Sequence, residues 1–306
     1  MTNMQPVSPD TRSTNIGNSP ILVTSVSPVR QALRRALQHK GLVIGGLITA
    51  LVLLAALLSL VWTPHAITDT AMDIARQAPS RTHWLGTDSY GRDVLSQLMV
   101  GAQASIAVGV IAVGIGLTLG TLLGLLAASA PGWLREVILR GADFTLAFPA
   151  ILSAILLTAI YGPSMTNAII AIGIYNIPGF ARIARAAAAS VWQRDFVAAA
   201  RTAGKSSWAI TWQHVLPNIA SLLIVQATIR FAVAILAEAG LSYLGVGTQP
   251  PQVSWGRMLA EGQTEMFNAP LLAVWPGLAI AVTVLGLNLL GDGLRDVLDP
   301  RLARQR

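Results

Sequence analysis

The chain has 306 residues, of which 53% are hydrophobic and only 11% charged, and it carries a formal net charge of +7. A soluble domain carries about 25% charged residues, so the composition excludes an ordinary soluble domain and points to a chain solvated mostly by lipid, with a mean hydropathy of +0.60. The absence of cysteine excludes disulfides and thiolate chemistry, and basic residues beside apolar runs are read as setting membrane orientation rather than as binding nucleic acid.

Residues 1–29 are rich in Ser, Thr, Asn and Pro and lack periodicity. They read as disordered and, with the basic flank that follows, make a cytoplasmic tail over 1–40. The first apolar run starts at Gly41 and is long enough to span, which argues against a cleaved signal peptide. Six spans are predicted, at about 41–62, 103–128, 144–161, 164–181, 216–238 and 270–290, each near the roughly 20 residues a helix needs to cross. The expected fold is therefore all-α and polytopic, with residues 63–102 outside the membrane and a cytoplasmic tail over 292–306. "YGPS" at 161–164 reads as a tight turn. Pro149 and Pro178 fall inside spans, where neighbouring helices absorb the kinks they cause.

Basic residues orient the spans. Of the 21 Lys and Arg, four (Arg76, Arg81, Arg92 and Arg257) fall on one side, Arg230 falls within the fifth span, and the other sixteen share the side of the N-terminus. Both termini are therefore expected in the cytoplasm. Within the second span, Gly116, Gly120 and Gly124 recur every four residues and make one smooth face, the pattern by which helices approach closely in lipid.

The polar stretch "DFVAAARTAGKSSWAITWQHVLPN" (195–218) lies between spans. Phe196, Ala199, Ala200 and Ala203 stand at i, i+3, i+4 and i+7, so a helix gathers them on one nearly methyl-sized face. Gly204 is placed to end that helix, and Ser206 or Ser207 to cap a second one carrying Trp208, Thr211, Trp212 and Val215 on one face. Pro217 disfavours helix at Leu216 and predicts a break before the fifth span. Two readings are open. A small-residue helix can seat deep in another protein's groove, and an amphipathic helix can lie on the lipid surface with its tryptophans at the headgroups.

This stretch resembles the "EAA" loop of ATP-binding-cassette importer permeases: Glu-Ala-Ala, three residues, Gly, then a hydrophobic helix ending in Leu-Pro. Ala199, Ala200, Gly204, His214, Leu216, Pro217 and Asn218 match it, while Ala198 stands where the family has Glu and Asp195 offers a charge one turn away. Two further stretches, "LGTDSYGRDVLSQLMVGAQASI" (85–106) and "EAGLSYLGVGTQPPQVSWGRML" (238–259), are similar to long motifs of the dipeptide/oligopeptide/nickel permeases, in particular the C-type subunit. Gln103 replaces the usual Arg and Trp84 the usual Pro.

The resemblance implies a type I importer permease fold, with a peripheral helix over 41–62, a five-helix core over 103–291 and a cytoplasmic coupling loop over 182–214. It implies that Asp195, Phe196, Ala198, Ala199, Ala200, Ala203 and Gly204 couple to an ATPase. It further implies a bacterial inner-membrane location, a B-type permease as heterodimer partner, two cytoplasmic ATPases that hold the ATP and Mg, and an external solute-binding protein. No cofactor is expected on this chain. The expected cargo is a di- or oligopeptide, with nickel or another small solute as the alternative.

Other motifs point elsewhere and are weaker. "AGKS" (203–206) mimics the end of a phosphate-binding loop, but position 199 is Ala where that loop needs Gly. "GLSYLG" (240–245) suggests a serine hydrolase, but no histidine follows Ser242 to act as its base. The four histidines, His39, His65, His83 and His214, are scattered and give no metal cluster. A secondary transporter would show inverted repeats, and none is evident. Outside the membrane, Thr87 or Asp88 is expected to cap a helix, with Arg92 pairing locally and Asp93 beside it. Arg230 and Glu238 are candidates for the translocation path or outer gate, because charge in or near a span is costly. Eight residues part them, about 12 Å along a helix, too far for a simple pair.

Overall fold

The structure, a computed structural model, describes residues 36–298; the tail over 1–35 and residues 299–306 lie outside the described residues. Nine α-helices are formed among them. They are α1 (Lys40–Leu58), α2 (Val94–Ser129), α3 (Gly132–Ala147), α4 (Ala150–Tyr161), α5 (Met165–Trp192), α6 (Asp195–Thr202), α7 (Ser207–Tyr243), α8 (Trp255–Thr264) and α9 (Leu271–Leu298). No strand occurs among the described residues beyond a single antiparallel bridge, Thr87 to Asp93. The all-helical expectation holds, as it must where lipid offers no partner for backbone N–H and C=O groups.

Five helices, α1, α2, α5, α7 and α9, are long and apolar enough to cross alone. The expected third span is instead a broken pair, α3 and α4, bent by 82°. Pro149 is therefore not inside a helix. It stands at the N-terminus of α4, where a missing N–H costs nothing, and the break falls at Phe148 and Pro149 because Pro disfavours helix at the preceding residue. Pro178 does lie inside α5, which runs on to Trp192, well past the expected end at 181.

Other boundaries also move. α2 starts at Val94, nine residues before the expected 103, so residues 94–102 belong to the helix and not to an outer loop. Its 36 residues make about 54 Å of helix, more than the roughly 30 Å hydrocarbon core, so α2 projects beyond the lipid. α9 continues through Asp292 to Leu298, into the expected tail, and residues 36–38 already take a helical turn.

The centre of the bundle is the crossing of α2 and α5. A Cβ added at Gly120 would lie 2.5 Å from the Ile177 carbonyl oxygen, and one at Gly124 2.5 Å from that of Ala181. Gly116 sits equally close to Asn176. The periodic glycines thus set a backbone-to-backbone approach. α1 is clamped to α9 the same way at Gly45, Gly286 and Gly293, and leaves Leu47, Leu51, Leu54 and Leu57 exposed as a lipid-facing surface. His39 Nε2 lies 2.9 Å from Asp296 Oδ2, which places both ends of the described chain on one side.

Gly114, two residues from Gly116 and so on the opposite side of the helix, has open space at its Cβ position. Gly120→Val should therefore force α2 and α5 apart and cost about 1–3 kcal/mol by overpacking, whereas Gly114→Val should fold nearly as the parent does. Thermal unfolding of the purified variants in one detergent checks this; equal loss from both would remove the stripe's special role.

Candidate functional site

α6 and the start of α7 form a helical hairpin at the end of the bundle that holds both ends of the described chain. α6 ends in a Schellman turn. Gly204 N–H donates to Arg201 O at 2.9 Å and Lys205 N–H to Ala200 O at 3.1 Å, with Gly204 at φ +78°. A left-handed residue is required there, and glycine takes it without strain. Ser206 then caps α7, accepting from Ala209 N–H at 3.3 Å.

The predicted face of α6 is split by the fold. Val197 and Ala200 are buried in the core, while Phe196 (45% exposed), Ala198, Ala199 and Ala203 remain on the outside. Ala200 is therefore an anchor of the hairpin, and the outward surface is Asp195, Phe196, Ala198, Ala199 and Ala203, ending at Gly204. Phe196 packs edge-on against His214 across the hairpin, and Arg201 lies over the Trp192 ring, 4.9 Å from its centroid. Lys205 Nζ donates to Gln213 Oε1 at 2.8 Å. "AGKS" is thus the cap of a helix and follows no strand, unlike a phosphate-binding loop.

The break expected at Pro217 is absent. α7 runs unbroken from Ser207 to Tyr243 through a π turn over Thr211–Val215. A proline inside a helix clashes with the carbonyl four residues back, here that of Gln213. The wider π turn takes up that strain, so the helix continues.

Farther along α7, Arg230 packs over Gly179 of α5 and lines a cavity of about 60 Å³ with Tyr175 and Asn176. It makes no ion pair among the described residues. Glu238 contrasts with it. It is 0% exposed. Its carboxylate accepts from Ser105 of α2 at 3.2 Å, Ser242 of α7 at 2.7 Å and Thr248 of the following loop at 3.3 Å. Enclosure by three hydroxyls makes it a staple between elements, and Ser242 is a donor to that staple rather than a free nucleophile.

The opposite end carries a cap built from segment 63–93 and α8. Arg92 Nε donates to Asp88 Oδ2 at 2.6 Å, the local pair expected from the sequence. The helix cap is neither Thr87 nor Asp88 but Asp93, whose Oδ2 accepts from Ser96 N–H at 2.8 Å and Ser96 Oγ at 2.7 Å. Asp88 instead closes its own turn, accepting from the N–H groups of Tyr90 and Arg92. Gly91, at φ +75°, lets that turn press on the backbone of Ala71, where any Cβ would collide. Arg76 reaches Glu265 with two bonds of 2.8 Å, and Ser89 adds a third at 3.0 Å. Trp255, at the head of α8, donates its Nε1–H to Leu98 O at 2.9 Å and lies on Gly101. The stretches 85–106 and 238–259, far apart in sequence, are thus one packed unit.

Residues 120–304 match the family described as the inner membrane component of binding-protein-dependent transport systems. The glutathione transport system permease protein of Pectobacterium atrosepticum is 41% identical over 277 residues, 90% of this chain and 92% of that protein. This chain belongs to that family. It is a permease subunit of an ABC importer. The dipeptide transport system permease protein of Alkalihalophilus pseudofirmus is also 41% identical, over 91% of this chain and 92% of that protein. An inward-facing structure of a methionine ABC transporter shares the fold, with a TM-score of 0.56 at 18% identity, over 66% of this chain and 97% of that one.

Two features of the permease were missed from sequence. One is the staple around Glu238. The other is a histidine pair: His65 and His83 are not scattered but stack with ring centroids 4.4 Å apart beside Asp93. Burial raises the Asp93 pKa, but the two bonds from Ser96, the His83 ring and nearby His65 together hold it below the ordinary carboxylate value.

Bonding to Arg76 holds the Glu265 carboxyl below its ordinary value as well. A lowered carboxylate pKa stabilises the fold above the unfolded value, and that contribution is lost as pH falls through the folded one. The strap over 72–91 should accordingly be equally protected from hydrogen exchange at pH 7 and pH 5.5, and should loosen below the ordinary glutamate range once rates are corrected for the intrinsic pH dependence of exchange. Glu265→Gln should loosen the strap already at neutral pH; a strap that stays protected in that variant would show the ion pair to be unimportant.

Proposed function

We propose that this permease is the C-type subunit of a peptide importer of the bacterial inner membrane. It pairs with a B-type permease, two cytoplasmic ATPases that bind and hydrolyse ATP with Mg, and an external solute-binding protein. The peptide class rests on the relatives whose names specify glutathione and dipeptide transport. No bond in the cargo is made or broken. Cargo crosses between the two permeases by alternating access, and Arg230, the cation facing a cavity inside a span, is our candidate for the path.

The observation that carries the coupling role is the outward surface of α6. Phe196 is one exposed aromatic among Ala198, Ala199 and Ala203, so little side chain would hold a partner's backbone away. The anchored inner face, Val197 and Ala200, would transmit a push on α6 into the bundle. The surface-helix reading is less well supported, because the stacked pair Trp208 and Trp212, the lipid-seeking element, lies on α7 and not on α6.

Ala199→Trp should keep α6 out of its groove. Overpacking of about 1–3 kcal/mol corresponds to up to a hundredfold in association, so the ATPases should fail to co-purify and substrate-stimulated ATP turnover should fall, while membrane insertion survives. Ala198→Glu should be tolerated or strengthen coupling. Wild-type behaviour of Ala199→Trp in both assays would return α6 to the lipid surface.

Orientation is tested separately in this cysteine-free chain. Single cysteines at Thr70, Ser190 and Thr264 all fall on exposed positions. An impermeant thiol reagent on intact spheroplasts should label positions 70 and 264 and spare 190. Labelling at 190 would invert the topology.

A further inference from the structure

His65 and His83 come from stretches without regular secondary structure, and Asp93 caps α2; the three meet at the outer cap, with one ligand atom from each lying within 4.8 Å of the others. Asp93 is 1% exposed at its side chain and divides its two oxygens. Oδ2 is spent on Ser96, as the helix cap. Oδ1 is turned to the histidines, 3.0 Å from His83 Nδ1 and 3.7 Å from His65 Nδ1. His65 Nδ1 is itself buried and has no hydrogen-bond partner, although the rest of the ring is 39% exposed. A buried ring nitrogen without a partner is uncommon, and this one is aimed at the same carboxylate oxygen as its neighbour.

We propose that His65 Nδ1, His83 Nδ1 and Asp93 Oδ1 form a binding site for one resident divalent transition cation of borderline softness, of the Zn²⁺ type. Two imidazoles and a carboxylate are a ligand set that such ions accept, with a fourth position left for water. A tetrahedral ion with bonds of about 2.0–2.1 Å holds its ligand atoms about 3.3–3.5 Å apart, and the separations of 3.0 and 3.7 Å bracket that spacing. The remaining histidine-to-histidine gap closes by rotation of the His65 ring, whose exposed edge leaves it room.

The outer shell is already in place. Ser96 fixes the carboxylate through Oδ2, and its Oγ accepts from His65 N–H at 3.0 Å, so one serine orients two of the three ligands. A bound ion would join the start of the connection after α1, the loop before the "LGTD" turn and the N-cap residue of α2, three segments that no regular secondary structure holds together. It would tighten the outer cap and take no part in cargo chemistry.

The test uses the full chain without a histidine tag, purified in detergent and stripped with chelator. Co²⁺ titration should give one equivalent of bound ion with tetrahedral d–d absorption, Zn²⁺ should displace it, and Zn²⁺ should raise the melting temperature. His65→Ala and His83→Ala should each weaken binding by about 100-fold or more, since even outer-shell changes cost about 10–100-fold. His65→Gln, which keeps a polar side chain of similar size, should fold with the parent's apo melting temperature and still lose the Co²⁺ spectrum. Failure of the wild-type chain to bind one equivalent overturns the proposal whatever the variants do, and leaves a hydrogen-bonded His–Asp–His contact. Equal binding by wild type and all three variants places the ion elsewhere, at His39 or His214, and overturns it as well.

Discussion

The close crossing of α2 and α5 is the constraint from which the rest of the permease follows. In lipid there is no hydrophobic gain from pressing two apolar helices together, so contact must come from van der Waals packing and small interfaces. Gly116, Gly120 and Gly124 provide that interface by letting α5 lie directly on the α2 backbone. With those two helices fixed, α7 packs against both, α9 packs on α7, and α1 lies at the edge, on α9 through its small-residue seam and on α2, where Ser59 Oγ donates to Met99 O. The far side of α1 keeps a broad exposed leucine surface.

Both ends of α7 are tied to polar machinery, and the apolar middle joins them. At one end lie the Schellman turn, the Ser206 cap and the π turn; at the other, the Glu238 staple and the loop that enters α8. The helix spans 37 residues, about 55 Å. A kink at Pro217 would have made two independent elements of it. The π turn keeps them one continuous helix, from the hairpin to Arg230 and Glu238.

The periodic features were legible in the sequence. Apolar runs located every membrane helix, the glycine stripe named its interface, and Gly204 and Ser206 marked the two ends of the bend. What was not legible has a physical pattern. Proline was misread in both directions: at Pro149 its local preference broke the chain where neighbouring helices were expected to absorb a kink, and at Pro217 the π turn let the helix continue where a break was expected. The start of α2 was hidden because Ser96, Gln97 and Gln103 give its first turns a polar look, although Ser96 and Gln97 are buried against the cap. The i, i+3, i+4, i+7 pattern of α6 was right about helix and about the outward side of Phe196, Ala199 and Ala203, but Ala200 turns inward to share the buried stripe with Val197. The Glu238 staple needs Ser105, more than a hundred positions away, and the His65–His83–Asp93 cluster is gathered by a segment with no helical or strand period to predict the meeting.

The two long motifs, at 85–106 and 238–259, gain a common meaning from this geometry. Each has a side chain that serves the other: Ser105 donates to Glu238, and Trp255 donates to the Leu98 carbonyl. A bond of 2.9 Å from a buried indole to a backbone carbonyl, and a carboxylate enclosed by three hydroxyls, allow little sliding between α2 and the α7–α8 loop. Removing one partner would strand the other away from water, at about 1–3 kcal/mol for a neutral group and more for the carboxylate. The end of the bundle that carries α8 is therefore built as one packed block. Beside it, the α3–α4 pair, bent by 82°, is the one broken span among the described residues.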